Sequence, residues 1–373
     1  MSSLPESGDA FSFRITNSLR GLLCLGIFVF HFCYFFPTQV KPDIGYTLVG
    51  AFFMLSGFGL LESFKRKENY LDEFVGKKTA RLLVPVWIAG IIVLTINFLL
   101  FNNASILNEQ AYLFDIISGG VMTTRTWFVI ELIIFYLFFY LAFKHLSIRL
   151  GIVAVSLAVT LMMILLSQQE HNMWYSSGMM FPVGLILSYY RDRIESIKPY
   201  TILMIAVIVS LILAHNMIIF KSHWYSGLLL GNVQCLLVSM MIVMFLLARK
   251  NGVGVWLAAL LLCNFSYCVI GLVLGLGLDQ ITAVPVITAL VIPASIDIVS
   301  PLTNLLGNIS YEFYIIHVTM LHVSRIWFAE MLSCFISSLI LTLVMAIVIN
   351  RVSKIFFDDK KKDASLKSGR LLE

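Results

Sequence analysis

The sequence predicts an all-α fold: a polytopic integral membrane helical bundle of about ten to twelve transmembrane helices, with both termini cytoplasmic. Three observations predict it. The 373 residues are 59% hydrophobic and only 13% charged, with a mean hydropathy of +0.91. Soluble domains carry about 25% charged residues, and half that share cannot cover a water-exposed particle of this size. The apolar residues also fall into runs close to the roughly 20 residues a helix needs to cross a bilayer. Finally, the basic residues are distributed unevenly about those runs. Together these exclude a soluble enzyme, a disordered chain and a fibrous protein.

Taken in order, the candidate spans are Leu19–Phe36, Tyr46–Phe64, Leu82–Phe101, Trp127–Phe143, Leu150–Leu166, Met173–Tyr190, Tyr200–Phe220, Leu228–Ala248, Val253–Leu274, Ile281–Val299, Ile309–Phe328 and Leu332–Val352. The sixth is interrupted by Gly178, Pro182 and Gly184. The tenth contains Pro285, Pro293 and Asp297, which favour a kink or partial crossing. Ten or eleven spans therefore stay open. The expected organisation is a cytoplasmic segment over 1–18, one membrane domain over 19–352 and a charged tail over 353–373, disordered by composition. The first eighteen residues are mostly polar, and no signal-peptide cleavage pattern follows them.

Orientation follows from charge. With the N-terminus inside and sides alternating, 22 of the 26 Lys and Arg fall on inside pieces; only Lys41, Arg125, Lys221 and Arg325 fall outside. That split satisfies the positive-inside rule, and it accounts for the net charge of +5 without any nucleic-acid partner. It also places the chain in a cell membrane as a multi-pass protein. The six Cys lie in apolar runs without C-x-x-C spacing, as small buried hydrophobes do. No metal-ligand spacing is present, so no metal is expected.

Ionisable groups inside spans are costly and point to function. Arg20 and His31 are eleven residues apart, about three helical turns, so they share one face roughly 16.5 Å apart along the axis. Arg20 alone reads as a positive-inside anchor, and His31 alone as a packed histidine. Glu131 lies about 6 Å below the start of its span, close enough in depth to His31 for an orienting contact. Ser310, Tyr314 and His317 fall at i, i+4 and i+7 on one face. Trp127, Trp224 and Trp327 read as interface anchors.

Several stretches resemble one family. Asn17-Ser18-Leu19-Arg20-Gly21-Leu22, continuing to His31-Phe32, is similar to the opening of membrane acyltransferase family 3, an Arg-Gly with ten residues between Arg and His. Phe52-Phe53-Met54-Leu55-Ser56-Gly57-Phe58 resembles its F-F-x-x-S-G-F. Lys78 to Trp87 resembles R-x-x-R-L-x-x-P-x-W. Trp127-Phe128 through Leu132 and Tyr136 resembles W-F-x-x-x-L-x-x-x-Y. Leu306-Gly307-Asn308-Ile309-Ser310-Tyr311, Tyr314 and His317 resemble L-G-x-I-S-Y-x-x-Y-x-x-H. Asn17 replaces the acidic residue often found before the Arg-Gly. Lys78 replaces the first Arg of R-x-x-R, keeping charge without bidentate geometry. The hydrolase-like domain fused to some relatives is absent.

The resemblance implies transfer of an acyl group, acetyl by default and succinyl also open, from cytosolic acyl-CoA to a hydroxyl of a carbohydrate or glycolipid acceptor at the outer face. It implies no permanently bound cofactor. His31 would be the catalytic base, with Glu131 beside it. Arg20, Lys78 and Arg81 would meet the donor phosphates. Ser310, Tyr314, His317 and Trp127 would line the acyl path or acceptor side. The alternative is a twelve-span secondary transporter or lipid-linked-sugar flippase, against which the lack of a half-chain repeat weighs.

Overall fold

A computed structural model describes residues 11–35, 45–101, 127–168, 172–196, 201, 228–229, most of 231–243 and 300–369. Its helices are α1 (Phe13–Phe35), α2 (Gly45–Arg66), α3 (Phe74–Phe101), α4 (Trp127–His145), α5 (Ile148–Leu166), α6 (Met180–Tyr189), α7 (Arg191–Glu195), α8 (Ser300–Asn308), α9 (Ser310–Trp327) and α10 (Met331–Gly369). A short apolar helix covers Gly231–Met240. Among the described residues six helices, α1 to α5 and the first part of α10, are long and apolar enough to cross a membrane. The protein is thus an all-α, polytopic membrane protein. The spans expected over Tyr200–Phe220, Val253–Leu274 and Ile281–Val299 lie outside the described residues, as does most of Leu228–Ala248.

The chain divides into two compact units, Met1–Val75 with Glu131–Asn308, and Gly76–Ile130 with Ile309–Glu373. In the first unit, α2 and α6 run side by side in the same direction. A Cβ added to Gly184 would stand 2.0 Å from the Met54 carbonyl oxygen, and one on Gly57 would stand 2.2 Å from the Phe181 carbonyl oxygen. Lipid provides no hydrophobic drive between helices, so close backbone approach through small residues supplies the packing. Phe53, Phe135 and Phe181 fill the layer beside this seam, with ring centroids 5.1 and 5.2 Å apart across Phe135.

The α1–α8 seam is built similarly. Gly21 faces the Thr303 carbonyl, and Gly307 faces the Asn17 carbonyl. Asn17 Nδ2 donates to the Asn304 carbonyl at 3.2 Å and to Asn308 Oδ1 at 3.0 Å, and Ser18 Oγ donates to Asn304 Oδ1 at 3.0 Å. This clasp explains why α1 begins at Phe13, before the expected start at Leu19. Thr16, Asn17 and Ser18 are buried and satisfied rather than solvated.

In the second unit, α9 packs along α10. Ser338, Thr342, Ala346, Ile349 and Ser353 form the buried stripe of α10, while Leu332, Ile336, Ile340, Val344 and Val348 are exposed, as lipid-facing positions should be. Helix α9 is less apolar than α1 to α5, and most of its residues are buried. Its Glu312 accepts a 2.9 Å hydrogen bond from Asn350. Helix α10 continues through Gly369, so helix covers most of the segment whose charge predicts disorder; Lys, Ala and Leu there are good helix formers.

Candidate active site

Arg20 sits in the third turn of α1. Its Nη2 lies 3.5 Å from the Leu55 carbonyl oxygen of α2 and 3.5 Å from where a Cβ on Gly59 would stand. Gly59 thus lies beside the guanidinium, where a methyl group would make ordinary van der Waals contact. Tyr136 of α4 shares a hydrogen bond with Ser56 and interacts electrostatically with Arg20. Ser56, Gly59 and Tyr136 are thus gathered around one cation. Gly21, the next residue, locks α1 against α8 and fixes the register from which Arg20 projects.

His31 lies one turn from the end of α1 and is half-buried, its ring edge-on to Phe30 at 4.9 Å. Phe30 packs where a Cβ on Gly45 would be, which levels the end of α1 with the start of α2. The Phe53–Phe135 contact and the Ser56–Tyr136 bond level Glu131 with about residue 50 of α2. Glu131 therefore lies roughly 7 Å deeper than His31, about five residues of helix rise. It is fully buried, and neither carboxylate oxygen has a hydrogen-bond partner. The orienting contact expected between His31 and Glu131 is not formed, because the two helices place them at different levels.

In the second unit, Lys78 and Arg81 lie in the first two turns of α3, Lys78 half-buried and Arg81 exposed. Pro85 removes one bond from the α3 ladder. In that disrupted turn the Leu82 carbonyl accepts a 2.6 Å bond from the Tyr311 hydroxyl. The Tyr314 ring packs edge-on to Phe128 at 4.3 Å. Trp127, beside Phe128, is buried rather than placed as an exposed interface anchor; Trp327 is exposed, and Trp224 lies outside the described residues. Ser310, Tyr314 and His317 are all buried on α9. His317 Nδ1 bonds the Tyr314 carbonyl. A carbonyl only accepts, so Nδ1 carries a proton in this bond.

These contacts join the separated sequence motifs in pairs, and comparison with known families agrees. The Acyltransferase domain, Acyl_transf_3, matches residues 16–351. The chain belongs to this membrane acyltransferase family. No curated protein and no solved structure matches it.

For this acyltransferase, the geometry gives the motif residues distinct tasks. Gly21 and Gly307 close the α1–α8 seam, Gly57 closes α2 on α6, and Tyr311 ties α9 to α3. Arg20 and His31 are left as the chemically distinctive groups of α1. Two features escape sequence reasoning. Glu62 accepts from Lys65 at 2.6 Å, Arg66 at 2.9 Å, Arg191 at 3.1 Å and Ser188 at 2.8 Å. The i, i+3 and i, i+4 partners were visible in the sequence, but Arg191 and Ser188 come from distant helices. The second feature is Ser177, a buried hydroxyl without a partner, which nothing local in the sequence marks.

Proposed function

We propose that the chain transfers an acyl group, acetyl by default, from cytosolic acyl-CoA to a hydroxyl of a carbohydrate or glycolipid acceptor at the outer face. Membership of a membrane acyltransferase family supports the reaction class. The observation that carries the assignment is the gathering of Ser56, Gly59 and Tyr136 around Arg20, three turns from His31 on the same helix. Arg20 holds the phosphate end of the donor, and the acyl-bearing arm extends along α1 toward His31. His31 takes the proton from the acceptor hydroxyl as its oxygen attacks the thioester carbonyl. The C–S bond breaks, the ester forms, and the imidazolium returns its proton to the departing thiolate.

Lys78 and Arg81 carry cationic charge suited to donor phosphates. Ser310, Tyr314, His317 and Trp127, all buried, are assigned to the acyl path or the acceptor side. The interrupted sixth span is a feature the transporter alternative would share; the family match favours acyl transfer.

Thiol release from acetyl-CoA by purified protein tests the reading. Wild-type protein should release thiol, and Arg20→Ala should raise the KM for acetyl-CoA in a salt-sensitive way. Absence of thiol release from well-folded protein contradicts it. The orientation is tested separately: reporters fused to the C-terminal tail and to the loop at Lys221 should report opposite faces.

A further inference from the structure

The end of α6 and the short helix α7 face two ways. Ser188 turns inward, its hydroxyl bonding Glu62 at 2.8 Å and its carbonyl accepting from Lys65 Nζ at 2.9 Å. Arg191 turns inward as well, to Glu62 at 3.1 Å. At its other end α6 is pinned by Asn232, which accepts from the Met179 amide at 3.1 Å and donates to the Tyr175 carbonyl at 2.6 Å. A helix fixed at both ends leaves Tyr190 and Arg193 exposed and Tyr189 partly so.

These three side chains form a row with Arg149, at the start of α5. The Arg149 guanidinium donates from Nε to the Tyr189 hydroxyl and lies 5.9 Å from the Tyr189 ring centre. The Tyr189 and Tyr190 rings meet edge to face at 4.8 Å, and the Arg193 guanidinium lies 5.6 Å from the Tyr190 ring centre. A free arginine samples many rotamers, and an aromatic partner within about 6 Å narrows them without neutralising the charge. Among the described residues neither Arg149 nor Arg193 pairs with a carboxylate, whereas Arg191 takes both Glu62 and Glu195. Asp192, also exposed, is the acidic neighbour, one charge against two.

The row is continuous with apolar surface. Leu150, next to Arg149, begins a stripe with Val153 and Leu157 on one face of α5, each more than half exposed. Ile186, exposed, lies one turn before Tyr190 on α6. Any bilayer lipid would cover the stripe. Two arginines held in place at its end call for more, since guanidinium matches phosphate oxygens and tyrosine rings suit the headgroup level. A soluble phosphate would use the cations and leave the stripe idle; an anionic phospholipid uses both.

We propose that Arg149, Tyr189, Tyr190 and Arg193 form a seat for the phosphodiester headgroup of an anionic phospholipid, whose acyl chains lie along Leu150, Val153 and Ile186. The seat uses none of the residues assigned to acyl transfer.

Purified full-length protein is titrated in detergent with phosphatidylglycerol and with phosphatidylcholine of the same acyl chains, and bound lipid is counted by native mass spectrometry. Each arginine near a lipid surface is worth about fivefold in binding, so wild type should prefer phosphatidylglycerol by about 25-fold. Arg149→Gln and Arg193→Gln should each remove about fivefold, and the double variant should hold the two lipids alike. Lys144→Gln removes an exposed charge held over the Tyr140 ring, outside this row, and should change the preference by less than about twofold. Equal retention of both lipids by wild type overturns the inference, as does a preference that survives in the double variant. An equal loss in Lys144→Gln also overturns it, because the preference would then follow total charge, as an orientation anchor does. Glycerophosphoglycerol, the headgroup without chains, should not displace the lipid; displacement would make this a site for soluble phosphate and overturn the lipid assignment. The substituted side chains are exposed, so the variants should unfold at the wild-type midpoint. The double lysine variant, Arg149→Lys with Arg193→Lys, keeps the charge without the planar fork and should fall between wild type and the double glutamine variant.

Discussion

Glu62 and Glu131 are both buried carboxylates in the first unit, yet their surroundings are opposite. Glu62, near the basic end of α2, has each oxygen bonded twice, by Lys65 and Ser188 on one and Arg66 and Arg191 on the other. Arg191 is held in turn by Glu195 at 3.2 Å. Glu131, toward the far end of the parallel helix α4, has no partner for either oxygen. A carboxylate saturated by its own protein is a fastener joining α2 to α6 and α7. One without a partner fastens nothing. The contrast separates a carboxyl group that joins helices from one that does not within one unit.

The largest way to break this contrast is to part the helices that saturate Glu62. Gly184→Val puts a branched side chain against the Met54 backbone, which cannot yield. Loss of monodisperse protein after detergent extraction is the expected result; a normal elution profile would mean the seam is looser than its geometry. Removing the fastener itself is the next effect. Glu62→Ala removes one of the two carboxylates that hold Arg191, at 15% side-chain exposure, and leaves it Glu195 alone; it should lower stability by about 2 kcal/mol. Lys65 and Arg66, at 32% and 66% exposure, contribute little of that. Thermal unfolding in detergent reads it. Glu131→Gln is the smallest: it exchanges a carboxyl that bonds to nothing for an amide of the same shape, so stability should change by less than about 1 kcal/mol. A loss as large as that of Glu62→Ala would erase the distinction.

Much of this architecture was legible in the sequence. Apolar runs of membrane length located α1 to α5, α9 and α10, because lipid demands length and hydropathy that composition records directly. Arg20 and His31 were legible because helical spacing alone puts them on one face. The start of α1 was not, since Asn17 and Ser18 look like solvated polar residues until Asn304 and Asn308, almost three hundred positions away, satisfy them. The sixth span showed its glycines and proline, but not that the helix stops where Asn232 supplies the missing bonds. The levels of His31 and Glu131 depend on how α1, α2 and α4 register, which no single helix encodes.

The account turns on His31 as the base in acyl transfer, and one comparison tests that most directly. Acetyl-CoA turnover and thermal stability are measured together on purified wild type and His31→Ala. Loss of a general base should lower turnover by about 10²- to 10⁴-fold, while the unfolding midpoint stays near wild type because His31 is only half-buried. Near-normal turnover, or turnover lost only in step with folding, would contradict it.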